Sequence, residues 1–335
     1  MNFFHEKMTD ITLDRVRGMF MGCFLGDALG APHELKNNIN VKYSGILDHP
    51  IKVFNRFHGT RESIVGQCTD DTEMTLALLR TLIKDQCYDK NNVILSYLKW
   101  ANSGCWAMGK NTRALLKGVT TIKGYQKRLE KFGTSSQSNG ALMRSCPLAL
   151  LPPNSHHLIN VTVVIDDVTI TNDNPVCIDC NIIYITALKL ALQGYDGNTI
   201  FNIVKEMAQT VEVQELMKQI ENREDRNIVE NKGWCLNSLW CAMIVITSFT
   251  NYSEAIDWIN TFQKGSDTDT NGCIAGALLG AILGYETLTQ EEKTSLNINT
   301  ILNVDVTQGE LPRPIEYGIS DFFELTEAAY NLTVQ

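Results

Sequence analysis

The chain has 335 residues, 44% of them hydrophobic and 20% charged, with only 8 prolines, so it can bury a full core and is neither disordered nor fibrous. Its 29 Lys and Arg stand against 38 Asp and Glu, a formal net charge of -9 that argues against nonspecific binding to nucleic acid or an anionic membrane and leaves room for a local basic pocket. Ten cysteines are scattered through mostly apolar segments of a chain far too long to need disulfide staples, which predicts reduced thiols in a cytosol-like compartment.

The N-terminal stretch MNFFHEKMTDITLDR is polar and lacks an apolar core ending in small residues, so no secretory signal is expected and the protein is placed in the cytoplasm. Apolar residues then recur at three- and four-residue spacing over 12–31, 71–86, 91–101, 178–193, 199–221, 236–248, 253–263 and 270–284, which is the period of helices with a buried face. Short stretches such as Val161–Ile165 could be strand, but nothing alternates over several elements. The expected fold class is all-α. No Pro/Ser-rich linker divides the middle of the chain and the chemical motifs lie toward both ends, so one domain over 1–335 is expected. The small-apolar run Cys273–Gly284 is too short to cross a ~30 Å hydrocarbon layer, and no membrane association is expected.

Two of these helices carry glycine at every fourth position: Gly18, Gly22, Gly26 and Gly30 in the first, Gly272, Gly276, Gly280 and Gly284 near the end. Mid-helix glycine costs ~1 kcal/mol relative to alanine, and close backbone packing is the simplest offset. The two helices are therefore expected to lie together and to bring the residues at their ends into one site. The charged stretch 205–233 has the mixed signs of a solvated helical face, and 289–310 suggests no role.

Acidic residues open two of the helices. Thr69-Asp70-Asp71-Thr72-Glu73 precedes one apolar-periodic run, and Asp267-Thr268-Asp269-Thr270 precedes the second glycine-striped one. Helix capping by Thr69 or Asp70 is the plain explanation for the first cluster, but three acids in one turn exceed what capping requires. Asp267 and Asp269 can aim two carboxylates the same way, with the Thr270 hydroxyl following. All candidate ligands are hard oxygens, which suits Mg²⁺ or Mn²⁺ and disfavours Zn²⁺. If the clusters meet, four Asp and two Thr oxygens surround one spot, enough for two divalent cations. The spacing at 267–272 is not that of an EF-hand loop.

Four segments in order, Gly26-Asp27-Ala28-Leu29-Gly30-Ala31-Pro32 with Glu34, Gly66-Gln67 with Thr69-Asp70-Asp71-Thr72, Ser138-Asn139-Gly140-Ala141 with Met143-Arg144, and Gly265-Ser266-Asp267 with Asp269-Thr270, resemble the ADP-ribosylglycohydrolases. The resemblance runs over about 14–318. It implies an all-α fold with a binuclear Mg²⁺ or Mn²⁺ centre in a central cleft, and removal of ADP-ribose from modified side chains. Thr69, Asp70, Asp71, Asp267, Asp269 and Thr270 match the metal-ligand positions of that family. Glu34 matches an acidic position that in some members helps activate water or gates the site, and Glu34, Asp70 and Asp71 are the catalytic candidates. Ser138, Asn139 and Gly140, with Gly265 and Ser266, match substrate-holding loops. The implied partner is an ADP-ribosylated protein, arginine-linked in the first instance, with serine linkages or small ADP-ribose conjugates as alternatives, and the expected state is a monomer. Two other classes stay open: a protein that binds ADP-ribose without turnover, and a divalent-metal phosphohydrolase.

Two positions depart from the family pattern. Asn172 stands where members often carry His, which puts a ligand contact in question, and Ser266 stands where the usual residue is Gly. Arg144, a lone cation among apolar residues, is expected to form a buried ion pair, with Asp27 as its partner. Cys177 and Cys180 have CxxC spacing with no second pair and are expected in the core; His156 and His157 lack a metal-type partner. Trp100, Trp106 and Trp234 are expected as core anchors, with an aromatic of unassigned position covering adenine.

Overall fold

A computed structural model describes residues 10–34, 42–55, 59–154 and 158–334. His156 and His157 lie outside the described residues. The first helix, α1 (Leu13–Glu34), is buried without a break from Gly18 to Pro32. A two-stranded antiparallel hairpin follows, β1 (Lys52–Asn55) and β2 (Gly59–Glu62), with Lys52 opposite Glu62. Then come α2 (Asp70–Asp85), α3 (Lys90–Asn102), α4 (Lys110–Leu116), α5 (Ile122–Phe132) and α6 (Val161–Val168). The second half holds α7 (Pro175–Leu192), α8 (Gly197–Val204), α9 (Val211–Glu221), α10 (Cys235–Ser248) and α11 (Tyr252–Phe262). It closes with α12 (Thr268–Leu283), α13 (Tyr285–Gln290), α14 (Glu292–Leu302) and α15 (Phe322–Asn331). The fold is all-α, as the periodicity requires.

The centre of the molecule is the antiparallel crossing of α1 and α12. A β-carbon added at Gly18, Gly22 or Gly26 would lie 2.2, 2.1 or 2.0 Å from the carbonyl oxygen of Gly280, Gly276 or Gly272, so only glycine lets the two backbones touch. Gly30 meets Thr268 and Asp269 in the same way, which sets the end of α1 against the start of α12. Arg15 fastens the far end by donating to the carbonyls of Ala281 and Ile282 of α12 and Ala191 of α7.

Two local expectations are corrected. Val161–Ile165 is helix, because Asn160 caps α6 by accepting from the amide of Val163 and the apolar side of the turn is buried at Val164 and Val168. The run 199–221 is two helices joined by a short 3-10 turn: the Asp179 carboxylate accepts from the amides of Gln209 and Thr210 and from the Thr210 hydroxyl, which stops one helix and starts α9. Within the charged stretch, α9 buries Val213, Leu216, Met217 and Ile220 and exposes its charged face.

The window Pro175–Leu192 is long and apolar enough to cross a membrane, but 83% of it is buried inside the protein, as in a core helix. All ten cysteines are free, and Cys177 and Cys180 are core residues.

Candidate active site

Asp27 projects from the middle of α1, next to the Gly26–Gly272 contact. Its Oδ2 accepts from the backbone N–H of Thr69 at 2.9 Å and of Thr72 at 3.1 Å, and its Oδ1 accepts from the Thr69 hydroxyl at 2.8 Å. Thr69 holds the N-cap position of α2, but its own side chain makes no cap bond. The expectation that Thr69 or Asp70 caps this helix is thus corrected: the cap comes from another helix, and the Thr69 hydroxyl is left between Asp27 and Asp71.

On the other side, Asp267 stands at the N-cap of α12 and accepts from the Asn139 amide at 2.7 Å. Asn139 also donates to Ser238, whose hydroxyl donates to Asn271, so the position of Asp267 is fixed by a buried polar chain. Asp269 lies in the first turn of α12, and its Oδ1 accepts from the amide of Thr270.

The acidic turns of α2 and α12 therefore converge. Two groups of three carboxylates arise among the described residues, Asp27 with Asp71 and Asp269, and Glu34 with Asp267 and Asp269; in each the offered oxygens lie within 4.8 Å of one another. Asp269 belongs to both. Asp70 belongs to neither but lines the same cavity, with Thr69 and Thr270. That cavity has a volume of about 710 Å³, and Ser138, Asn139, Gly140, Lys232 and Trp106 also line it.

Electrostatically the site is overloaded with negative charge. Burial pushes Asp27 up to about 6, while hydrogen bonds from Thr69 and Thr72 hold it back. Burial and then Glu34 push Asp267 to about 6 against the pull of Asn139 and Lys232. Asp71 and Asp269 are driven well above the usual carboxylate range, first by burial and then by neighbouring acids, chiefly Asp27 for Asp71 and Glu34 for Asp269. Asp70 is raised by burial, Asp27 and Glu73. Buried carboxylates at this spacing stay ionised only beside a counter-charge. The residues fit a hard divalent cation: every donor is oxygen, and the buried Asp71 Oδ1 has no hydrogen-bond partner.

The remaining candidates fall in different places. Glu34 is the last residue of α1, half-buried, and paired with Lys232 Nζ at 2.9 Å; residues 35–41, which follow it, lie outside the described residues. Gly265 has φ +86°, a left-handed conformation that explains glycine there, and Ser266 is buried with an unpartnered hydroxyl; neither lines the cavity.

Arg144 is the clearest correction. Its partner is Asp167, not Asp27: Nε lies 3.2 Å from Asp167 Oδ2, Nη1 donates to Gly140 O and Thr171 Oγ1, and the guanidinium covers the Tyr97 ring. Asp27 gives three of its acceptor positions to the start of α2, and Arg144 turns the other way and fixes the backbone of the 136–140 loop from beneath. Asn172 is also buried behind this loop, donating to Ser136 O and Ser138 O, and does not line the cavity. It supports the loop rather than facing a ligand. Trp100 is core and donates to Glu73, Trp234 donates to Gln137, and Trp106 is the aromatic ring among the described residues lining the cavity.

Asp27, which stands in the first motif but is expected there only as the partner of Arg144, and Lys232 are the site residues to which sequence reasoning assigns no ligand role. The signal for Asp27 was its place beside Gly26 in the glycine stripe; Lys232 carried none.

Residues 8–311 match the family described as ADP-ribosylglycohydrolase. The chain belongs to this family. It is 27% identical over 326 residues to a protein of Acanthamoeba polyphaga mimivirus named as an ADP-ribosyl glycohydrolase, covering 90% of this chain and 94% of that one. It is 23% identical over 298 residues to an ADP-ribosylarginine hydrolase of Pseudomonas putida (strain GB-1), covering 83% and 73%. A solved structure described as an ADP-ribosylglycohydrolase-related protein complex superposes with a TM-score of 0.70 over 96% of this chain and 98% of that one; at 19% identity the likeness is one of fold. As an ADP-ribosylglycohydrolase the chain is an enzyme of ADP-ribosyl hydrolysis, and the cavity with its two carboxylate groups is its candidate active site.

Proposed function

We propose that this ADP-ribosylglycohydrolase reverses mono-ADP-ribosylation by hydrolysing the bond between the distal ribose and a modified protein side chain, arginine in the first instance, with two divalent cations, Mg²⁺ or Mn²⁺. The observation that carries the reading is the meeting of Asp27, Asp71 and Asp269 with Glu34 and Asp267 on one cavity. The name of the Pseudomonas relative supports the choice of arginine. We take the whole chain as one domain acting as a monomer in the cytoplasm.

In this reading Thr69, Asp70, Asp71, Asp267, Asp269 and Thr270, joined by Asp27, hold the cations. When bound, such cations supply Lewis acidity toward sugar hydroxyls and water. The chain's own residues do the rest. The 136–140 loop offers backbone donors and small side chains to the diphosphate, steadied by Arg144 and Asn172 behind it. Trp106 offers a ring face for adenine. Glu34, at the cavity edge and partly exposed, accepts the proton of the attacking water. Asp70 lines the same cavity, where burial, Asp27 and Glu73 raise it above the usual carboxylate range, and serves with Asp71 as a cation ligand; the proton that Glu34 takes from water can pass to the leaving side chain as the bond to the anomeric carbon breaks.

The test is incubation of the purified chain with Mg²⁺ or Mn²⁺ and arginine-ADP-ribosylated protein, followed by identification of the small product. Free ADP-ribose is the expected result. AMP or phosphate would point to a phosphohydrolase, and tight ADP-ribose binding without product to a binding protein.

A further inference from the structure

Lys232 lies in the stretch that the sequence assigns to a solvated face, yet its ammonium group sits on the catalytic cavity. Nζ is 2.9 Å from Glu34 Oε1, and its charge also feels the carboxylates of Asp267 and Asp269. Glu34, Asp267 and Asp269 form one of the two carboxylate groups, so a single lysine faces one whole group; the other group, Asp27, Asp71 and Asp269, has no lysine or arginine paired with it among the described residues.

The backbone that carries Lys232 is fastened on both sides. Asn231 adopts a left-handed conformation with φ +53°, and its carbonyl accepts from the backbone N–H of Trp234 and the side-chain amide of Asn237. The Gly233 carbonyl accepts from the amide of Asn139, the same residue whose side chain holds Asp267, and the Cys235 amide donates to Gln137 O. The Trp234 indole donates to Gln137 and lies beneath the Arg226 guanidinium. A surface lysine does not need a strained residue and this many fixed neighbours. They set its Cα at one place over the acids.

We propose that Lys232 is a positioning residue for the cation site: a resident counter-charge that a divalent ion at Glu34, Asp267 and Asp269 must share or displace, making this the weaker of the two sites. The inference rests on the proposed cation reading and adds Glu34, there the proton acceptor, to the oxygens that one ion can reach. By pairing with Glu34, Lys232 offsets the repulsion between this acid and Asp267 and Asp269, and Glu34 can exchange the lysine contact for a cation. The Asp27 group, deeper in the protein, binds its cation without that competition.

The experiment is a Mn²⁺ titration of the chelator-treated full chain at fixed pH and ionic strength, read by calorimetry and by the electron paramagnetic resonance of free Mn²⁺. Wild type shows a tight and a weak binding event. Lys232→Met tightens the weak event by about tenfold, the effect of removing one partly solvated like charge, and tightens the other, which it reaches only through the shared Asp269, by far less. Lys232→Arg, which keeps the charge, behaves as wild type, and circular dichroism establishes that both variants are folded. Unchanged affinities in Lys232→Met, or equal tightening of both events, overturn the inference while leaving the cation reading intact; no Mn²⁺ binding by folded wild type overturns both.

Discussion

The carboxylate of Asp27 caps a helix to which it does not belong: it takes the amides of Thr69 and Thr72 from the middle of α1 and so fixes where α2 begins. One side chain thereby joins the scaffold to the candidate cation site, since the same carboxylate lies in a group with Asp71 and Asp269. Replacing it with alanine leaves two buried amides unpaired and the Thr69 hydroxyl with Asp71 as its remaining partner. Asp27→Ala is expected to lower stability by about 2–3 kcal/mol in denaturant titration, and to weaken Mn²⁺ binding as well. Retention of wild-type Mn²⁺ affinity would remove Asp27 from the site.

The glycine contacts give a sharper contrast. In an ordinary exposed helix Gly→Ala stabilises by up to ~1 kcal/mol. At Gly26 the new methyl would meet the Gly272 carbonyl at 2.0 Å, and backbone cannot swing aside. Gly26→Ala is expected to cost roughly 3 kcal/mol or more and to abolish activity with it. Gly265→Ala meets open space but forces alanine to φ +86°, a loss of about 1 kcal/mol with the fold kept. Thermal melting of the pair measures the difference.

Asp269 is shared by both carboxylate groups. Asp269→Ala is expected to reduce turnover by roughly a thousandfold and to impair both Mn²⁺ binding events, because two sites lose a ligand at once. The metal-free variant should be no less stable than metal-free wild type, since it loses a carboxylate that burial and like charge disfavour. Full activity in metal-defined buffer would rule the centre out.

Lys189 on α7 offers a test away from the site. It is buried, its Nζ donates to Leu151 O at 3.3 Å, and burial lowers its pKa to about 8. Between about pH 8 and the ordinary lysine range near 10.4, the unfolded chain keeps this proton while the folded one has lost it. Unfolded protein then binds more protons, so this group's contribution to stability rises with pH across that window and is least favourable below pH 8. Lys189→Met is expected to stabilise the protein at pH 7 by about 1–3 kcal/mol and to flatten the rise. Denaturant titrations at pH 7 and pH 9.5 check both.

What the sequence made legible was local and periodic. The helices could be read from apolar spacing, and the contact of α1 with α12 from glycine at every fourth place, because such a stripe has few uses besides another backbone. Whether the acidic turns near 70 and 268 meet stays conditional at that level; it is the capping of α2 by Asp27, together with the contact of Gly30 with α12, that brings them to one cavity. What it hid depended on tertiary choice. Asp27 and Asp167 are both acids in apolar runs, and only the capping of α2 by the first leaves the second for Arg144. The break at 208–210 is written in Asp179, thirty residues upstream, and not in the segment that breaks. Lys232 looks like any charge in a polar stretch until Asn231 and Gly233 are seen to fix it over the acids.

The Thr268 hydroxyl donates to the Gly30 carbonyl across a sequence separation of 238, in the contact that sets the start of α12 against the end of α1. During synthesis the first half of the site therefore waits, emerged but incomplete, until α12 has left the ribosome. Closure over so great a separation slows folding, and a product that ends before α12 would lack Asp269 and with it a member of both carboxylate groups.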